Sequence, residues 1–207
     1  STPPQPETAP HRDCVEALLH HGSDTAIKAI VMNSRIERIG EAKFEAKDLS
    51  FPARTLGQLK AMSNAELETF VQNVFASLSA VSSGADKFNS LCYFETLCGD
   101  TQMANVFINS SLIGLFVKML SLKNMPSHIC ALLATMIGLL LRHATLILPD
   151  VQKTNVMQVL VSTTQSDKPT KIRRRAFGCL GELLFYISTQ PKADRAQWDV
   201  TAAAVEA

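Results

Sequence analysis

The sequence predicts an all-α fold built from repeated helices behind an extended linker, and three observations carry that expectation. From Thr55 to Gln190 the apolar residues recur at the three-and-four spacing of an amphipathic helix rather than the alternation of a strand. The composition, 46% hydrophobic but only 6% aromatic, suits helix packing better than a sandwich or barrel rich in β-branched and aromatic residues. The chain also repeats itself. A shift of 43 residues lays Pro126 on Pro169, Ile129 on Ile172, Gly138 on Gly181 and Leu140-Leu141 on Leu183-Leu184; one step back, Leu97 falls on Leu140 and Phe94 on Ile137. That period lies within the roughly 40 to 47 residues of HEAT and armadillo repeats, helix pairs or trios that cannot bury their apolar faces alone.

Residues 1–13, rich in Pro, Ser and Thr and without apolar period, are expected to be a disordered leader. Residues 14–54 read as an extended linker. Its aliphatics Ile27, Ile30, Val31, Ile36 and Ile39 follow neither a helical period nor strand alternation, yet are costly to leave in water. They are expected to anchor the linker on the repeats, on a second copy or on another domain.

Residues 55–190 are expected to form the repeats. Ser63 with Glu66 makes a capping box that opens a helix through Leu67, Phe70, Val71, Val74, Phe75 and Leu78, which Ser82-Ser83-Gly84 stops. A second helix is expected from about Asp86 to Leu97, with Asp100 capping a short one through Phe107. Others follow over Ser111 to Leu122, Ser127 to Ala144, Asn155 to Thr164 and Lys168 to Ser188. Residues 191–207 are expected to be a polar helix, near Asp194 to Glu206, or a tail.

A formal net charge of +1 provides no global field for nucleic acid or an anionic membrane. Nucleic acid and membrane are therefore not expected partners. The run Ile129 to Leu141 falls short of the roughly 20 residues that span a bilayer, and the beginning of the chain lacks a signal-peptide pattern. Five scattered cysteines (Cys14, Cys92, Cys98, Cys130, Cys179) read as reduced core residues of a cytoplasmic protein, with no metal-ligand spacing.

No catalytic, cofactor-binding or metal-binding set emerges. His11-Arg12-Asp13 matches the first letters of a kinase catalytic loop, but Leu18 stands where the magnesium-holding Asn belongs. Neither a glycine loop over phosphates, a strand Lys in a V-A-I-K setting nor an Asp-Phe-Gly is present. Ser82, Ser83 and Ser110 lack a His and acid in any triad pattern.

The last repeat is the most informative. Asp167, Ile172, Arg173 and Gly181 resemble the second-helix signature of a HEAT repeat, in which Asp167 would cap the helix, Arg173 would pair with an acidic group, and Gly181 with Gly178 would admit a neighbouring helix. Lys168, Lys171, Arg174 and Arg175 form a basic cluster, the candidate surface for acidic protein segments or phosphates.

The runs Ser23 to Ile39, Ser90 to Asp100, Asn109 to Leu120, Ile137 to Ile147 and Arg173 to Gln190 resemble the fourth Unc-51-like kinase family, called Runkel in plants. The resemblance covers about Leu19 to Gln190 and implies the linker and first helical repeats that follow a kinase-like domain. It further implies a non-catalytic repeat arm of a pseudokinase tied to cilia or the cell-division apparatus, with microtubule-associated or ciliary proteins and the kinase-like domain itself as partners. Two other readings compete with this scaffold: a regulatory segment of an active serine/threonine kinase, and a phosphate or nucleic-acid binder using Arg173 to Arg175.

Limited proteolysis checks the linker. The leader through Asp13 should be lost quickly and cleavage between Ile27 and Ile39 should be slow; equal rates would remove the case for anchoring.

Overall fold

Side-chain caps decide where most of the helices begin. The computed structural model of the chain describes residues 44–79, 82–198 and 200, all within one unit, Ala42–Ala207. The leader 1–13, the linker aliphatics Ile27, Ile30, Val31, Ile36 and Ile39, and residues 201–207 lie outside the described residues. Helix α1 (Leu56–Lys60) opens on a capping box of Thr55 and Gln58, α2 (Asn64–Ser77) on Ser63 and Glu66, and α3 (Gly84–Glu95) on Ser83 and Asp86. Ser83 thus belongs to the start of α3 as much as to the break after α2. Asp100 accepts the Met103 amide at 3.2 Å to open α4 (Thr101–Ile108), and Ser110 accepts from Leu112 to open α5 (Ser111–Ser121).

The two longest helices begin differently. α6 (Ser127–His143) and α8 (Thr170–Thr189) both start after a proline, Pro126 or Pro169, with no side-chain cap. Between them a 3-10 turn (Pro149–Thr154) leads through Asn155, in the left-handed region at φ 58°, into α7 (Val156–Thr164). A last turn, α9, covers Lys192–Arg195. Among the described residues there is no strand, as the helical spacing predicts.

The contacts sort the helices into two rows. α2, α5 and α7 pack in succession along one; α3 and α4 lie against α6, and α6 against α8, along the other. α6 is the hub because its apolar residues leave no polar face: Ile129, Leu133, Met136, Ile137 and Leu140 are all at most 1% exposed. A relay of rings joins the first half of the core, Phe51 to Phe70 (6.0 Å), Phe70 to Phe107 (6.3 Å), Phe107 to Phe94 (4.5 Å) and Phe94 to Phe116 (5.6 Å).

Polar side chains hold the loops that the rows leave over. Asn105 on α4 accepts the amides of Thr145 and Leu146, and Asn109, one turn on, accepts that of Leu148 and donates to the Leu146 carbonyl. Tyr93 accepts the Arg54 amide at 2.7 Å and donates to the same residue's carbonyl, and Tyr186 accepts the Ile147 amide at 2.9 Å. These segments would otherwise leave backbone groups unpaired beside the core.

Two expectations about the ends change. Residues 44–54 pack on the core through three side chains: Phe51 is 7% exposed, and Phe44, whose ring meets Tyr93 at 5.1 Å, and Leu49 lie half-buried against it on either side of a 3-10 turn (Ala46–Asp48). The extended linker therefore does not run to residue 54 as a separate element. The polar helix expected near Asp194 is, among the described residues, the four-residue α9, followed by Trp198, which is buried. Gln152 accepts from its indole Nε1 at 3.3 Å once the amide is oriented to satisfy both neighbours. One large ring outweighs the polar residues around it.

Among the described residues no single helix is long and apolar enough to cross a membrane; α4 and α5, apolar as a pair, meet at 72°. The caps carry a pH signature. The Lys60 ammonium and the Met103 amide hold the Asp100 carboxyl below its ordinary range, and the bonds from Ser63 do the same for Glu66. Stability from a lowered carboxylate is present above its unfolded pKa of about 4 and lost as pH falls through the folded value. Asp100→Ala should cost about 1 kcal/mol at neutral pH and flatten the acid limb of the unfolding midpoint, as followed by circular dichroism between neutral and strongly acidic pH.

Candidate functional site

The start of α8 brings the sequence-predicted residues together, though in roles other than the expected ones. The helix begins at Thr170 rather than near Lys168, so Pro169 takes the capping position and Asp167 sits two residues outside it, exposed and making no cap. Arg173 finds no acidic partner among the described residues; its guanidinium reaches only Thr170 on its own helix, at 3.5 Å. Ile172 is buried, 2% exposed, and fixes the first turn in the core. A cleft of about 520 Å³ opens here between the starts of α6 and α8, lined by Lys123, Ser127, Cys130, Ser166, Asp167 and Lys168 among others.

The basic cluster divides. Lys168 donates to the Leu122 carbonyl at the end of α5 (3.3 Å) and lies 3.6 Å from the Cys130 sulfur. Arg175 donates to the Ala131 carbonyl on α6 at 2.7 Å. Lys171 and Arg174 stay exposed, with no hydrogen bond or ion pair among the described residues. Two of the four candidate partner-binding cations therefore hold the molecule together, and two face water.

Arg175 is the first rung of a ladder between α6 and α8. Next, Cys179 donates its thiol hydrogen to the Ala134 carbonyl at 2.9 Å, its sulfur seated where a side chain on Gly138 would begin, 3.1 Å from that Cβ position. Then Arg142 donates through Nε and Nη2 to Glu182, at 2.8 and 2.6 Å. This pair supplies the inter-repeat ion pair expected of Arg173; being exposed, it contributes at most about 1 kcal/mol. The ladder escaped the sequence reading. Its visible trace is the face shared by Ile172, Arg175, Cys179 and Glu182 at helical spacing, with a cation embedded in an apolar stripe.

Gly138 and Gly181 match in the 43-residue register yet differ in the fold. Gly138 is the slot that lets α8 approach. Nothing lies within 4 Å of a Cβ at Gly181 or Gly178, so the close contact expected at Gly181 is absent: α8 turns that face to solvent.

Nucleophilic chemistry has little support from the thiols. Burial pushes Cys179 up to about 12 and Cys92 up to about 11, and raises Cys98 well above the ordinary range, which keeps all three protonated at neutral pH. Among the described residues no group of three side chains converges as metal ligands.

No family model matches the chain, and no solved structure matches it. The serine/threonine-protein kinase RUNKEL of Arabidopsis thaliana is 33% identical over 171 residues, 82% of this chain and 12% of that protein. The serine/threonine-protein kinase ULK4 of Mus musculus is 26% identical over 184 residues, 86% of this chain and 14% of that protein. The chain is related to both. It spans well under a fifth of the length of either relative, so it corresponds to one short stretch of them.

The two glycines are separable by experiment. Gly138→Leu should overpack the seam against Cys179 and cost roughly 1 to 3 kcal/mol. Gly181→Ala, in open space mid-helix, should stabilise α8 by up to about 1 kcal/mol. Denaturant midpoints of the two variants shifting in the same direction would refute the assignment.

Proposed function

We propose that this chain is a non-catalytic helical-repeat scaffold, one stretch of a HEAT/armadillo-like solenoid in a longer kinase-like protein, and that it works by binding other proteins. The register supports the solenoid: α3, α6 and α8 open at Gly84, Ser127 and Thr170, at the 43-residue interval of the sequence repeat, and each is laid against the next along one row. The observation that carries the binding role is the exposed pair Lys171 and Arg174, cations at a helix start that nothing in the described fold employs. An acidic segment of another protein is the complementary partner. Cytoplasmic microtubule structures, ciliary or belonging to the division apparatus, are the proposed setting, with the parent's kinase-like domain as a neighbour.

The phosphate or nucleic-acid alternative loses ground, because Arg175, one of the three arginines of its proposed cluster Arg173 to Arg175, is spent on the Ala131 carbonyl. Affinity purification of the full protein with mass spectrometry tests the scaffold reading, wild type beside the Lys171→Glu/Arg174→Glu variant. Protein partners should be captured by the wild type and lost severalfold by the variant at unchanged Tm. Nucleotide turnover by the isolated chain, with no protein captured, would sink it.

A further inference from the structure

α8 buries one face and leaves a second apolar stripe bare. Ile172, Ala176, Leu180 and Leu183 lie in the core, while Phe177 is 59% and Phe185 69% exposed, with Gly181 between them and Arg174 one turn before. Solitary exposed apolar residues need no explanation, but two phenylalanines flanking an open glycine on one helical stripe form a patch.

The repeat says what the patch matches. On α6 the corresponding residues, 43 earlier, are Ala131, Ala134, Gly138 and Arg142, and these are the residues that α8 covers: Arg175 takes the Ala131 carbonyl, Cys179 the Ala134 carbonyl and the Gly138 slot, and Glu182 takes Arg142. Carried forward one repeat, the same positions are Arg174, Phe177, Gly181 and Phe185. The bare stripe on α8 is the continuation of an interface the molecule already forms.

We infer that this stripe seats a helix of one further repeat of the same polypeptide, stacked on α8 as α8 is stacked on α6. The inference rests on the solenoid reading above and specifies the occupant's chemistry. The incoming helix carries a long donor for the Arg174 carbonyl, the counterpart of Arg175. Four residues later it carries a small residue for the Gly181 slot, the counterpart of Cys179. Where α8 has Glu182 to meet Arg142, the incoming helix has an apolar residue, because Phe185 replaces the arginine. Phe177 in place of Ala134 sets the new helix further out at that end.

Hydroxyl-radical footprinting of Phe177 and Phe185 tests this, comparing the full-length protein expressed from its own gene with the isolated 207-residue chain at high dilution. Both rings should be labelled readily in the isolated chain and severalfold less in the full-length protein. Equal labelling in the two overturns the inference. Protection in the isolated chain that disappears on dilution assigns the stripe to a second copy and also overturns it. The Phe177→Glu/Phe185→Glu variant gives an independent readout: Tm unchanged in the isolated chain, and the first transition lowered by roughly 5 °C or more in the full-length protein. No change in either overturns the inference. The labelling is read without any partner, so failure of the scaffold reading, seen in captured proteins, remains distinguishable from failure here.

Discussion

Everything else in the fold follows from the need to keep α6 dry. Its residues Ile129 to Leu141 include no charged side chain, and apolar groups occur on every side of the helix, so no orientation offers water a polar face. A helix of that kind has to be surrounded. α3 and α4 cover one flank, α5 another and α8 a third, and each of these is itself amphipathic enough to face solvent on its far side. At roughly 25 cal/mol per Å² of apolar surface removed from water, covering α6 is a larger stabilising term than any single cap or ion pair among the described residues. The caps and loop clamps act within that frame: they fix where helices start and where loops run, while α6 fixes which helices meet.

The legible parts of the fold are those in which a local rule and the tertiary structure agree. Ser63 and Glu66 open α2 and Asp100 opens α4, because capping acts over three or four residues and is written in the sequence at that range. The missed parts depend on a neighbour that sequence period does not identify. Gly138 and Gly181 are equivalent by register, and whether either meets a helix depends on what lies on the other side. Arg173 and Arg175 are two residues apart on one helix, about 200° around it, so which of them meets α6 turns on an orientation that the apolar stripe sets. Asp167 reads as a cap only for a helix that starts at Lys168, two residues before the actual start at Thr170, and that small boundary shift is enough to reassign the residue's role. Trp198 was hidden by averaging: a tail reads as polar when one apolar ring is weighed against many polar neighbours, though burial responds to the ring.

The basic start of α8 runs against helix electrostatics, and how the molecule offsets this separates structural cations from the others. Lys171, Arg173, Arg174 and Arg175 lie at the positive end of the helix macrodipole, where each cation is unfavourable by up to about 1 kcal/mol unless it finds negative partners. Lys168 and Arg175 find them in backbone carbonyls: Lys168 at Leu122, at the carbonyl end of α5 where the dipole of that helix is negative, and Arg175 at Ala131. Both bonds cross from one repeat to the next, so charge that is unfavourable at the start of α8 becomes part of the seam. Lys171 and Arg174 have no such offset among the described residues, and Arg174 stands at the edge of the stripe formed by Phe177, Gly181 and Phe185. The further repeat inferred above would cover the apolar patch, and the acidic partner proposed above would offset the cation beside it.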